Sequence, residues 1–331
     1  MAGARILILK QEGLRQFVEA EPAFAAIRAA NPGVPIDLLT SPHLGRLAKG
    51  APYFDRVLAA GQVAGKAAQK EFLAQLKRIG YEQIYDLDGT KATLEIRNAM
   101  TGFRGPRWIG PKRVMSRPGF RAASFSGAAM RKLLSDANIA VDHRLPDLEW
   151  ALSGRKDAAN MQPSWFGISG PFALFIPSAD QSRRWPPEHY AALTPILAEE
   201  GMTAVVVGPE TLGDYGQKVV QLVSRRGGAG PGSVVDLAGK ADLAQVAMLA
   251  RHAHFFVAGL SEELHLCVSV GCPGLVLLHA SETADGDALF GRNVIKLTAQ
   301  DVSKLSPDMA VTMLRNMGLL QPEGARAAMA R

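Results

Sequence analysis

Short apolar runs alternate with helix-spaced segments along almost the whole chain, and few folds accept that alternation. In the first half the pattern predicts strands at Arg5–Leu9, Pro35–Thr40, Phe54–Leu58 and Gln83–Leu87. Between them it predicts a helix through Phe17–Arg28, a short helix over Pro42–Gly50, and helices over Lys66–Ile79 and Lys91–Met100. Strands separated by helices form βαβ units, so the expected fold class is α/β with parallel sheets. The alternation lapses around Leu145–Gly170 in a stretch containing Pro, Ser and Gly, which we take as an interdomain connection. This gives two expected domains, 1–155 and 156–331. In the second, strands are predicted at Phe172–Ile176, Met202–Val207, Val234–Leu237, Phe255–Ala258 and Leu275–Leu278. Pro187-Glu188 opens a helix, Asp242 can cap another over Leu243–Arg251, and a further helix starts near Ser261. A ligand of two such domains is expected in the cleft between them, at the carboxyl ends of strands.

At 331 residues and 47% hydrophobic content, the chain can bury two ordinary cores. It has no solenoid-period repeat. The first apolar run reads as a buried strand rather than a signal peptide. No stretch reaches the ~18 apolar residues of a membrane span; Leu264–Leu278 is interrupted by Gly271 and Pro273. A soluble, cytoplasmic protein is expected. Cys267 and Cys272 lie among apolar residues, make neither a disulfide framework nor a zinc site, and are expected buried and reduced.

The net charge of +6 is unevenly spread. No Asp or Glu occurs between Ile96 and Ser135, where Arg97, Arg104, Arg107, Lys112, Arg113, Arg117, Arg121, Arg131 and Lys132 all stand. A one-sign stretch attracts an anionic surface or a phosphorylated substrate, or simply keeps the surface solvated. Nucleic acid is disfavoured, because no recognition motif surrounds Phe103, Trp108 or Phe120. No Gly-x-Gly-x-x-Gly follows the first strand, which argues against a dinucleotide oxidoreductase. His252-x-His254 has metal-ligand chemistry, although a helix end accounts for it as well.

Two segments carry more specific information. One is Ser182-Arg183-Arg184-Trp185-Pro186-Pro187-Glu188-His189-Tyr190; the other runs from Val235-Asp236-Leu237-Ala238-Gly239-Lys240 through Leu264-His265-Leu266 to Gly271-Cys272-Pro273. With Gly13-Leu14, Glu21-Pro22-Ala23 and Tyr81–Gly89 in the first half, they resemble the family 9 glycosyltransferases, which include the lipopolysaccharide heptosyltransferases. The resemblance implies a GT-B architecture: two Rossmann-like parallel-sheet domains facing a central cleft, the first binding acceptor and the second sugar nucleotide. It implies inverting transfer from a nucleotide-diphosphate sugar to an anionic glycolipid of the cell envelope. No cofactor or metal takes part, and contact with the inner membrane would be peripheral.

The same resemblance locates departures. The family's proton-accepting aspartate in the first loop falls at Gln16, and a preceding glycine falls at Arg15. An amide cannot take up a proton at neutral pH, and loss of a positioned base costs ~10² to 10⁴ in rate. Glu12, Glu19 and Glu21 are neighbouring acids; Glu12 and Glu19 are the substitute candidates. In the second domain the family's Asp-Thr/Ser-Gly-x-x-His reads Leu260-Ser261-Glu262-Glu263-Leu264-His265. Two carboxylates complement a helix's first turn but repel a diphosphate, at about 1 kcal/mol per pair in water and about 4 near a protein surface. Arg183, at the position of a diphosphate-binding lysine, or Arg184 offsets that repulsion or pairs with the glutamates. The substrate-binding set implied is Lys10, Arg15, Gln16, Arg183, Arg184, Lys240, Ser261, Glu262 and His265. Gly208-Pro209-Glu210 is a resting place for a nucleotide or a plain turn. His279, Glu282, Asp285 and Asp287 form an acidic loop that either replaces a lost acid or faces solvent. The alternative to an active transferase is a degenerate member that binds a glycan, an anionic lipid or a partner protein.

Overall fold

A computed structural model describes residues 4–60, 66–100, 102, 105–111, 126–152, 158–226, 232–282 and 293–322. The chain divides into two compact units, Met1–Ser153 and Gly154–Arg331. The expected boundary at 155/156 lies outside the described residues.

The first unit contains β1 (Ile6–Lys10), α1 (Leu14–Glu19), α2 (Glu21–Ala30), β2 (Ile36–Thr40), α3 (Gly45–Ala48), β3 (Arg56–Ala59), α4 (Lys66–Ile79), β4 (Gln83–Asp86), α5 (Lys91–Met100), β5 (Arg107–Ile109) and α6 (Gly127–Asp136). Its five strands are ordered β3-β2-β1-β4-β5, and every pairing is parallel. β1 and β2 are buried along their whole length, as strands covered on both faces must be. Leu7, Leu9, Leu39 and Ile84 of the sheet pack with Leu76, Tyr81, Ile96 and Met100 in one core. At the amino edge of the strands, buried Asp37 accepts from Arg5, Arg56 and the Tyr81 hydroxyl, so its charge is matched where it is desolvated.

Two predicted helices differ in detail. The one expected through Phe17–Arg28 is divided at Ala20 into α1 and α2. Pro22 has no N–H to give the Val18 carbonyl, so the ladder breaks and restarts. Glu21, at that break, is not a surface acid. It is 1% exposed and accepts both Arg144 guanidinium donors at 2.7 Å, the Asp147 amide and the Tyr53 hydroxyl. Pro42–Gly50 is a 3-10 turn, Pro42–Leu44, followed by α3. Of the basic stretch, Arg104, Lys112, Arg113, Arg117 and Arg121 lie outside the described residues. Arg107 falls in β5 and Arg131 and Lys132 in α6, two elements the apolar pattern did not signal.

The second unit contains β6 (Phe172–Ile176), α7 (Pro187–Glu199), β7 (Thr203–Val206), α8 (Gly213–Arg226), β8 (Val234–Asp236), α9 (Leu243–His252), β9 (Phe255–Gly259), α10 (Glu263–Ser269), β10 (Gly274–His279), β11 (Val294–Ala299) and α11 (Pro307–Asn316). Six parallel strands are ordered β11-β10-β9-β6-β7-β8. Trp185, fully buried with Phe175 and Tyr190, donates its indole N–H to the Leu305 carbonyl at 2.7 Å. Asp242 and Gln245 form a reciprocal capping box at α9. Cys267 and Cys272 are buried free thiols, and burial pushes the Cys272 thiol up to about 12. No helix among the described residues is long and apolar enough to cross a membrane.

In each sheet the chain leaves its first strand to one side and later returns to the other. The reversal lies between β1 and β4 in the first unit and between β6 and β9 in the second. Such switch points open a crevice at the carboxyl ends of the strands, where α/β proteins take ligands. The second is closely fitted: a Cβ on Gly259 would sit 2.9 Å from both the amide nitrogen and the Cβ of Ser178. Gly259→Ala is therefore expected to cost about 1–3 kcal/mol, measured as a lower urea midpoint with an unchanged m-value.

Candidate functional site

At the first unit's switch point, β1 ends in a lysine rather than another apolar residue. Lys10 is 0% exposed, and its ammonium donates to the Leu87 carbonyl at 2.9 Å and to Glu12 Oε2 at 2.7 Å. Asp88 Oδ1 lies 3.1 Å away, and Asp88 Oδ2 accepts the Gln11 amide at 2.6 Å. The loops after β1 and β4 are thus fastened through one cation. Beneath them Asp86 is fully buried, and its Oδ1 accepts the amides of Asp88 and Gly89. Burial raises its carboxyl above the ordinary value, against the pull of those amides.

Glu12 is the half-exposed member of this group, with 19% of its side chain accessible. Burial raises its carboxyl; Lys10 draws it down, and Asp88 and Glu19 push it up again. Gln16 is half-buried on α1, and Arg15 on the same helix pairs with Glu19 at 2.8 Å. Lys10 is consequently an internal counter-ion, buried between the two loops. Glu12 and Gln16 are among the polar side chains that this rim leaves partly accessible, together with Gln11, Arg15 and Glu19.

At the second unit's switch point, Ser178 follows β6 and donates its hydroxyl to the Leu260 carbonyl at 3.0 Å, beyond β9. Arg184 is spent on the backbone, giving Nε to the Ser178 carbonyl and Nη2 to the Ala179 carbonyl, and it lies over the Tyr215 ring. Arg183 pairs with Glu282 Oε1 at 2.6 Å and more loosely with Asp180 at 3.4 Å. The Glu282 side chain is 4% exposed, and its second oxygen accepts the His279 amide. Glu282 is therefore not a solvent-loop acid; it neutralises the cation expected to meet a diphosphate. Asp285 and Asp287 lie outside the described residues.

The substituted helix start is also altered from expectation. Ser261 accepts the Leu264 amide at 3.3 Å, Glu262 is exposed, and Glu263 is 7% exposed. Burial raises the Glu263 carboxyl, with its own amide and the Ser261 hydroxyl pulling the other way. Arginine 183 pairs with neither glutamate by any of its contacts above. His265 is 5% exposed within α10. Lys240 follows β8, where its ammonium is held by the Asp236 carbonyl and carboxylate, both at 2.9 Å. Gly208-Pro209-Glu210 lies beside it: a Cβ on Gly239 would meet Glu210 Cα at 2.7 Å. No cluster of three or more metal-ligating side chains occurs among the described residues, His252 and His254 included.

The structure gathers Lys10, Glu12, Arg15, Gln16 and Glu19 at one switch point, and Arg183, Arg184, Ser261, Glu262 and His265 around the other. Lys240 belongs to the β8 end. Asp86, Asp88 and Ser178 were missed as participants, and Glu282, named in the acidic loop, was not foreseen as the partner of Arg183. A charged pair closing an apolar strand, as in Asp86-Leu87-Asp88, was the available signal for the first two.

Two parallel-sheet α/β units, each with polar chemistry at its switch point, define a class of fold that solved structures share. The E. coli ADP-heptose LPS heptosyltransferase II matches with a TM-score of 0.74 at 15% identity, over 95% of this chain and 98% of that one. A family 9 glycosyl transferase from Veillonella parvula gives 0.73 at 16%, over 95% and 97%. The E. coli heptosyltransferase WaaC with ADP gives 0.70 at 16%, over 95% and 99%. At these identities the likeness shows the fold, that of the GT-B heptosyltransferases. The sequence model of glycosyltransferase family 9 (heptosyltransferase) matches residues 128–295, just over half of the chain, and the protein belongs to that family. No curated protein sequence matches it.

The buried Glu263 carboxyl makes a prediction with a fixed sign. Its folded value is raised above the ordinary 4.5, so in that window the folded state holds more proton than the unfolded one. Its contribution is present below the ordinary value and lost as pH rises through the raised one. Glu263→Gln should leave stability near pH 4 almost unchanged and exceed the parent at pH 7 and above, read by denaturant unfolding at each pH.

Proposed function

We propose that the protein transfers a sugar from a nucleotide-diphosphate sugar to an anionic glycolipid of cell-envelope polysaccharide or lipopolysaccharide synthesis. The second unit holds the donor and the first the acceptor. The transfer inverts the anomeric centre and uses no metal. The observation that carries this reading is the position of Arg183 at the β6–β9 switch point, where Glu282, and more loosely Asp180, occupy a guanidinium able to grip phosphate with two donors. Family membership and the solved heptosyltransferases, one of them described with ADP, point to an ADP-linked heptose as the first donor to try.

On this reading donor diphosphate displaces Glu282 from Arg183. Calorimetry with ADP-, GDP-, UDP-, CMP- and dTDP-sugars in metal-free buffer should find one saturable class. Arg183→Ala should weaken it about ten- to hundredfold, the range for a lost charge-assisted contact. Glu282→Gln, which frees the guanidinium but keeps the shape, should strengthen it. Absence of binding to every nucleotide sugar by the folded protein would refute the proposal.

A second reading has its own support. Arg183, Arg184 and Lys240 all have intramolecular oxygen partners, and Gln16 stands where the family accepts a proton. These features suit a degenerate member that holds a glycan, an anionic headgroup or a partner enzyme without turnover. Peripheral association with the cytoplasmic face of the inner membrane fits either reading. It draws support from exposed Arg107 and Lys132 in the basic stretch. Sedimentation with anionic-lipid vesicles should fall as salt rises; association indifferent to salt and headgroup charge would exclude an electrostatic origin.

A further inference from the structure

We propose that Glu12 accepts the acceptor hydroxyl's proton during transfer, in place of the acid missing at Gln16. The proposal rests on the glycosyl-transfer reading above and assigns the group that reading lacks.

Four carboxyl groups surround the first unit's switch point, and their contacts separate them. Asp86 is fully buried, with one oxygen on two backbone amides. Asp88 has a side chain 0% exposed, one oxygen against Lys10 and the other on the Gln11 amide. Glu19 is ion-paired to Arg15, with 9% of its side chain accessible. Glu12 and Glu19 each rest one oxygen on a cation, but Glu12 is the more accessible, at 19% of its side chain, and its anchor is the fully buried Lys10 rather than the partly exposed Arg15; its Oε1 has no hydrogen-bond partner among the described residues. One fixed and one open oxygen is the arrangement a proton acceptor needs, since the bond to Lys10 sets its direction without occupying the basic site.

The surroundings also tune it. Lys10 faces Glu12 from β1, Asp88 from the loop after β4, and Glu19 from α1. Lys10 divides its charge between Glu12 and Asp88, so it does not hold Glu12 as firmly ionised as an undivided pair would. Burial then outweighs Lys10 and raises the carboxyl, which makes it a stronger base once ionised. Lys10 is a positioning residue, and Asp88 keeps it in place. In the step itself, the acceptor oxygen bonds the anomeric carbon as its proton passes to Glu12 Oε1. The bond from that carbon to the diphosphate oxygen breaks, and its electron pair leaves on the diphosphate. One carbon–oxygen bond forms and one breaks, with no change of oxidation state.

The test uses the full chain and ADP-heptose, with water as acceptor and released ADP as the signal. Glu12→Gln keeps the side chain's shape and its contact with Lys10. It should bind ADP-heptose within about twofold of the parent while ADP release falls ~10² to 10⁴-fold. In the parent, release should rise with pH and level off with the midpoint at which the Glu12 carboxyl carbon titrates by NMR, a peak identified by its loss in Glu12→Gln. Glu12→Asp should recover part of the rate. If the parent binds and turns over ADP-heptose but Glu12→Gln keeps more than about a third of its rate, Glu12 is not the base. A loss confined to Glu19→Gln, or a rate midpoint away from the Glu12 titration, would also overturn the assignment. If the parent binds none of the five nucleotide-sugar classes, the glycosyl-transfer reading fails and the assignment falls with it; binding without any release overturns the assignment of Glu12 alone.

Discussion

A buried ammonium survives only where oxygens replace its water, and the first unit is built around one such case. Desolvating a charge costs several kcal/mol even after relaxation. Lys10 meets that cost with a carbonyl, a fully buried aspartate and the half-buried Glu12, drawn from two different strand ends. Because its partners come from the loops after β1 and β4, satisfying the charge also fixes the loops. Asp88 in turn holds the Gln11 amide, so the backbone leading into α1 starts from a determined position. The chemistry-bearing rim of this unit is a by-product of neutralising one cation.

The second unit solves the reverse problem. Its cations lie near the surface and are drawn inward by oxygens: Arg184 by two carbonyls, Lys240 by Asp236, Arg183 by Glu282. Fixed cations shape a loop well, yet each contact competes with any incoming anion. The three differ in how readily they could exchange. Carbonyl partners belong to the backbone, and moving them means remaking the β6 loop; a carboxylate on a side chain can swing away. Arg183 is therefore the cation whose present partner is compatible with a later one.

Much of the fold could be read from the chain because apolar periodicity is local. β6, α4 and α5 occupy the predicted spans, since each has an unbroken pattern between turn residues. β5 escaped because three residues beginning with arginine carry no alternation, and α8 because Gly213 and Gly216 stand in its first turn. The division of α1 from α2 was legible in Pro22 but was read through. At the site, the resemblance implied departures at 16, 260 and 262. It did not show what the surviving residues touch. Arg183 and Glu282 are 99 positions apart, and Lys10 and Leu87 are 77 apart. Pairing at that separation depends on strand order, which no local pattern encodes.

The crowding of carboxyl groups around Lys10 limits what position 16 can hold. Aspartate there would not act as an isolated acid. The new charge would join Glu12, Asp88 and Glu19 at a rim with one buried cation, and it would stand one helical turn before Glu19, where like charges repel. Acids at 12 and 16 would thus compete for one counter-ion, so a substitution at either position changes the electrostatic cost of a charge at the other.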